Sequence, residues 1–300
     1  MKKPTSKVRS PQWWLHIAML PLALTAIVGY LGTTAWTIFL SFTSSKMFPS
    51  SNLVGLDQYH RLFDSERWGL ATDNLALFAA GSLILCTVIG FLLAIFIDQK
   101  IRAESIFRSV FLYPYAMSFV VTGLVWQWIF NPEMGLQAAV RRLGFDNFEL
   151  DWIVSQDKVM YCIIIAGVWH GSGLIMALIL AGLRGVDEEI WKAARLDGIP
   201  PWRTYISIVL PLIRASIATA LTLQVIGTIK VYDTVIAMTA GGPGLASDVP
   251  AKFILDNIGI RSNLGQASAA STVLLITVLA LLLPYYYFNK HQAAKRGRTS

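Results

Sequence analysis

Apolar residues run along this chain in six blocks, about 17–42, 75–97, 109–130, 160–183, 212–235 and 268–288, and the stretches between them hold nearly all of the charge. Each block reaches the roughly 20 residues that a helix needs to cross a hydrocarbon layer of about 30 Å. The pattern predicts an all-α membrane protein with six transmembrane helices in one domain over 17–288, flanked by a tail at 1–16 and a basic tail at 289–300. The first block has too long an apolar part, and no small-residue cleavage site after it, to read as a removable signal. No repeat of solenoid period and no low-complexity linker interrupts the chain.

One interval does not fit a simple turn between spans. Residues 186–211, VDEEIWKAARLDGIPPWRTYISIVLP, carry enough polar and punctuating residues for two short helices. Asp187 can accept free backbone N–H groups at the start of the first helix, where Glu188 and Glu189 suit the positive end of its dipole. Ala193 and Ala194 offer a thin surface to a partner. Gly198 can take the left-handed cap after Asp197, Pro200 and Pro201 pre-set a second helix, and Pro211 ends it.

Charge assigns the sides. Of 300 residues only 14% are charged and 55% are hydrophobic, too little charge to cover a soluble globule. The two tails, the 98–108 loop and the 184–214 loop together hold sixteen Lys and Arg against eight in the alternate loops, whereas eleven acidic residues, Asp146, Glu149, Asp151 and Asp157 among them, fall on that second side. Basic loops stay on the cytoplasmic side, so both termini and the 186–211 module are expected there. The net charge of +7 is then mostly the cytoplasmic excess of a membrane protein, with no basic stripe interleaved with aromatics to suggest nucleic acid. Cys86 and Cys162, inside apolar blocks, are expected to be free and buried.

The 186–211 module resembles the coupling loop, E-A-A-x-x-D-G-A, of permease subunits in binding-protein-dependent ABC importers. Ala193, Ala194, Asp197, Gly198 and Pro211 match at the family spacing, with Tyr205 where Phe is usual; Lys192 stands in place of the Glu and Ile199 in place of the last Ala. Two further stretches carry the same resemblance. Gly55-Leu56-Asp57-Gln58-Tyr59 is similar to a G-L-x-N-Y element before the second span, with a short amphipathic surface helix expected through Tyr59, Leu62 and Phe63. Tyr232-Asp233, Thr239 and Gly241-Gly242-Pro243 follow the order F-D, T, G-G-P of maltose/glycerol-phosphate-type sugar permeases, and Gly241 to Gly244 demand a sharp turn. The resemblance covers nearly the whole chain and is closest to permeases of glucose- or mannose-type importers.

What this resemblance implies is carbohydrate import across the bacterial inner membrane by alternating access. The implied partners are a second homologous permease, two cytoplasmic ATP-binding subunits, an external sugar-binding protein, the sugar itself and membrane lipid. Glu189, Lys192, Ala193, Ala194, Asp197 and Gly198 would then couple to the ATPase. Laid on this chain through Pro114-Tyr115-Ala116, Ala193-Ala194 and Gly241-Gly242-Pro243, the sugar contacts of the maltose-type permease fall on Tyr115, His170, Gly171, Leu174, Gln224, Thr228 and Val231. The last three recur at i, i+4 and i+7 and share a helix face.

Charges inside spans cost about 2.5–3.5 kcal/mol each on insertion scales, so Lys230 and Asp233, three apart, stand out. They read either as an internal ion pair or as a place where Lys230 enters the solute path. An ion-coupled secondary transporter using Lys230 and Asp233 is the alternative from another class. Trp126, Trp128 and Tyr285 to Tyr287, near span ends, read as headgroup anchors. No phosphate-binding G-x-x-x-x-G-K-[ST], H-E-x-x-H, C-x-x-C or G-x-S-x-G sequence occurs, so no enzyme activity, cofactor or metal is expected and energy must come from another polypeptide.

Overall fold

The structure, a computed structural model, describes the backbone of residues 13–99 and 101–296, with side chains for 17–99, 101–229 and 231–281. Among the described residues it is all-helical, with one isolated antiparallel bridge, Thr43 to Leu53, and no strand. Among the described residues four helices are long and apolar enough to cross a membrane, α1 (Ile17–Leu40), α3 (Glu66–Asp98), α7 (Val159–Arg184) and the Leu264–Leu281 part of α13 (Leu264–Arg296), while α6 (Leu136–Arg142) and α12 (Pro250–Gly259) are short. The count reaches six if each of two bent pairs crosses as one span. These are α4 (Glu104–Ala116) with α5 (Phe119–Phe130), bent by 100°, and α9 (Pro201–Leu212) with α10 (Arg214–Thr228), bent by 76°.

Two sequence-based spans need correcting. The block at 109–130 is no continuous helix: it breaks at Met117-Ser118, where Ser118 adopts extended backbone and its Oγ accepts a hydrogen bond from Val121 N, capping a fresh helix. Pro114 does not mark the break, since it lies inside α4, and both arms are apolar. The block at 212–235 is shifted: α10 begins at Arg214, passes a 3-10 turn at Ile229–Val231 and continues as α11 (Tyr232–Thr239). Pro211 lies within the last turn of α9 instead of ending it, and the preceding Thr204–Val209 is π-helical. Proline removes the N–H that an ordinary helix would use there, and a widened turn accommodates the loss.

The chain forms two compact units. In the first, residues 1–64 and 254–281, α1 turns its apolar side chains outward along its length. A polar cap follows it. Thr43, Ser45 and Gln58 are buried; Gln58 Nε2 donates to the Thr43 carbonyl (2.9 Å), Ser41 Oγ meets Tyr59 Oη (2.7 Å) and Gly265 N donates to the Ser45 carbonyl (2.8 Å). The short helix α2 (Asp57–Phe63) therefore buries Gln58 and Leu62 and leaves Phe63 exposed, so its inward face is partly polar, unlike the Tyr59-Leu62-Phe63 stripe expected.

The second unit, residues 65–253 and 282–300, holds the main apolar core. Its axis is α7, whose one face buries Ile163, Ala166, His170, Gly173, Met176 and Ile179 at helical spacing. Against it lie α3, α4 and α10, and α5 packs on α11. Contact is backbone-close at Gly173, where a Cβ would overlap the Phe111 carbonyl of α4. At the ends of α4 and α7, Glu104 in a first turn pairs with Arg184 in a last turn (2.8 Å), each sign suiting its helix terminus. Cys86 and Cys162 are free and buried. Trp126, read as an anchor, packs on Phe130 and Trp169 and its Nε1 is buried, while Trp128 is exposed. The tyrosines at 285–287 and the tails at 1–12 and 297–300 lie outside the described side chains.

Candidate functional site

Within the second unit a cavity of about 560 Å³ opens where the α4–α5 break, α7, α10, α11 and α3 converge. The 100° bend creates it: with the chain turned aside at Met117-Ser118, Tyr115 and Phe119 both pack on His170, ring centroids 5.6 and 4.4 Å from the imidazole. His170 is buried and its Nδ1 lies 3.1 Å from Thr122 Oγ1, so Nε2 is the ring's remaining polar atom. Gly167 and Gly171 bring the α7 backbone to the wall, and Leu174 extends it.

The facing wall is α10. Gln224 donates from Nε2 to the Ser82 carbonyl of α3 (2.8 Å), and its buried Oε1 has no hydrogen-bond partner among the described residues. Thr228 spends its hydroxyl proton on the Val225 carbonyl (2.7 Å) and so presents lone pairs alone. Val231 is buried beside it, and Asp233, exposed, lines the same cavity. Tyr115, His170, Gly171, Leu174, Gln224, Thr228 and Val231, seven of the eight positions named for the solute path, thus share one cavity. The backbone of Lys230 lies in the 3-10 turn and its side chain is outside the described residues. Aromatic faces beside an imidazole, an unpaired amide oxygen and a hydroxyl acceptor can hold a ligand that carries several hydroxyl groups on a partly apolar frame. Among the described residues no group of His, Cys, Asp and Glu is placed to hold a metal.

The polar module lies between α7 and α10 as two short helices, α8 (Glu188–Leu196) and α9. Asp187 Oδ1 accepts from Glu189 N (3.0 Å), and Gly198 at φ +68° closes the turn, a conformation that costs a residue with a Cβ about 1–2 kcal/mol. Trp191 of α8 meets Tyr205 of α9 edge-on at 5.1 Å, bracing the hairpin. The paired alanines divide: Ala193 is exposed, but Ala194 is buried, because neighbours on a helix point about 100° apart. Only Ala193 belongs to the open face, with Glu189, Lys192, Asp197 and Gly198, all exposed. Lys192 lies 3.8 Å from Glu188 one turn back, a solvated pair of little energetic weight.

Sequence reasoning missed several residues that line the cavity or hold its wall. Thr122, which orients His170, and Ser82, which holds Gln224, sit in apolar runs where nothing marks them; Phe119 and Ser118 belong to a break hidden inside a predicted span. Ser118 three residues before Val121 was the one available signal, a capping residue inside an apolar block.

Residues 86–297 match the family model described as "Binding-protein-dependent transport system inner membrane component". A probable ABC transporter permease protein of Pyrococcus horikoshii is 35% identical over 94% of this chain and 97% of its own length. The xylose/arabinose import permease protein of Haloferax volcanii is 30% identical, covering 95% of this chain and 89% of its own. The crystal structure of a bacterial ABC transporter involved in the import of the acidic polysaccharide alginate superposes with a TM-score of 0.81 over 93% of this chain and 96% of that one, at 18% identity, a likeness of fold. Broken apolar helices around a partly polar cavity, a braced hairpin between two of them and a match over most of the length lead to one assignment: the chain belongs to the binding-protein-dependent inner membrane components, the membrane-spanning permeases of ABC transporters.

Proposed function

We propose that this chain is one half of the pathway of an ABC importer for a carbohydrate, with glucose- and mannose-type sugars the first ligands to test. The observation that carries the reading is the gathering of Tyr115, His170, Gln224 and Thr228 on one cavity between helices, supported by the xylose/arabinose import of a relative. Tyr115 offers a ring face for sugar C–H groups; His170 Nε2 and Thr228 Oγ1, and Gln224 Oε1 once its amide turns into the cavity, offer hydrogen bonds to its hydroxyls; Gly171 lets the pyranose approach the backbone. A second, homologous permease completes the path.

In this reading six spans cross the plasma (inner) membrane with both termini and the 186–211 hairpin in the cytoplasm. There Glu189, Lys192, Ala193, Asp197 and Gly198 meet one of two ATP-binding subunits, while a binding protein delivers sugar to the opposite face. ATP-driven closure moves the hairpin, and α7 and α10, its covalent neighbours, tilt with it. Asp233, which lines the cavity, acts as part of this path, and Lys230 and Asp233 are not an ion-coupling pair. The test is uptake of the cognate sugar by cells carrying the Gln224→Leu/Thr228→Val double substitution at normal expression. A loss of uptake is expected, and a wild-type rate would refute the assignment of this cavity to the solute.

A further inference from the structure

Tyr205 joins three helices. Its ring, 8% exposed, is packed in α9 and touches Trp191 of α8. Its hydroxyl donates to Asp98 Oδ2 (3.4 Å) and accepts from Gln99 Nε2 (3.2 Å), both at the C-terminal end of α3. The hairpin is covalently continuous with α7 on one side and α10 on the other, so those two helices must follow it. Nothing in the chain's connectivity ties it to α3, which left the membrane about a hundred residues earlier. The hydroxyl supplies that tie.

We propose that Tyr205 is a positioning residue that makes α3 a third follower of the hairpin, through its hydrogen bonds to Asp98 and Gln99. The consequence reaches the cavity, because α3 also carries Phe78 and Ser82 into its wall and the Ser82 carbonyl holds Gln224. From Ser82 to Asp98 the helix is unbroken, a rod of roughly 24 Å at 1.5 Å per residue. A shift of the hairpin therefore moves the Gln224 wall from two sides, through α10 directly and through α3 by way of Tyr205. A phenylalanine at 205 would keep the ring contact with Trp191 and lose both bonds. The inference rests on the importer reading above.

The experiment uses the complete importer, with its second permease, ATP-binding subunits and binding protein, reconstituted in proteoliposomes. Uptake, ATP hydrolysis and the thermal unfolding midpoint are measured for wild type, Tyr205→Phe, Asp98→Ala and the double variant. Tyr205→Phe is expected to hydrolyse ATP within about twofold of wild type while sugar moved per ATP falls about five- to tenfold, the scale of one ordinary hydrogen bond lost. Because both substitutions break the same bond, the double variant should be no worse than the worse single one. An unchanged ratio of uptake to hydrolysis in Tyr205→Phe, or losses that add in the double variant, would overturn the proposal. If Tyr205→Phe lowers assembly, Asp98→Ala, which removes the acceptor and leaves the ring untouched, decides by the same ratio. A wild-type assembly that shows no ATP-driven uptake would sink the importer reading itself, a separate failure visible before any variant is compared.

Discussion

Replacing Gln224 by leucine separates ligand binding from stability. As folded, the side chain bonds through Nε2 to the Ser82 carbonyl and leaves Oε1 buried without a hydrogen-bond partner among the described residues. Losing the bond costs about 0.5–1.5 kcal/mol net, whereas removing a buried unpaired oxygen relieves about 1–3 kcal/mol of desolvation. The Ser82 carbonyl lies inside α3 and keeps the intrahelical bond of any interior residue. These terms oppose, so the unfolding midpoint of the purified assembly should move little, by an amount equivalent to about 1 kcal/mol. The ligand-bound state loses more. A sugar hydroxyl that would satisfy Oε1 once the amide turns into the cavity finds a methyl group, and at about 1.4 kcal/mol per tenfold the transfer of solute into the cavity becomes roughly tenfold less favourable. Gln224→Leu should therefore unfold like wild type and take up sugar several-fold more slowly at equal membrane abundance. Wild-type uptake would refute the role given to Oε1, and a large fall in the unfolding midpoint would show that Gln224 is held for the fold instead.

Gly173→Ala places a Cβ against the Phe111 carbonyl and should destabilise the α4–α7 contact by about 1–3 kcal/mol, read as a lowered unfolding midpoint and lower membrane yield. Asp248, fully buried, is ion-paired with Arg67, accepts from Val249 N (3.0 Å) and through its carbonyl from Asn74 (3.0 Å). Asp248→Ala removes a buried partner of the Arg67 charge and should cost up to about 3–5 kcal/mol, seen as protease sensitivity in the Gly241–Val249 loop. Gly198→Val forces a branched side chain into φ +68° and should loosen the hairpin; co-purification with the ATP-binding subunit is expected to fall while the spans still insert.

Several features were legible because short-range chemistry decides them. Apolar runs of sufficient length marked α3, α7 and α13, and Asp187, Gly198 and the Pro200-Pro201 pair marked the hairpin through capping rules that act within one helical turn. The i, i+4, i+7 spacing of Gln224, Thr228 and Val231 placed them on one face before any neighbour was known. Tertiary structure decided the rest. The bend at Met117-Ser118 has no hydropathy signal, because both arms are equally apolar, yet it makes the cavity. The pairing of Thr122 with His170, of Ser82 with Gln224 and of Asp98 with Tyr205 joins residues 48, 142 and 107 positions apart. A sequence pattern records which face of a helix is apolar, but which polar atom meets which across two helices depends on their crossing and offset, set by the packing of whole surfaces. For the same reason Ala193 and Ala194, alike in the sequence, part company in the fold: one faces outward, and the other is covered.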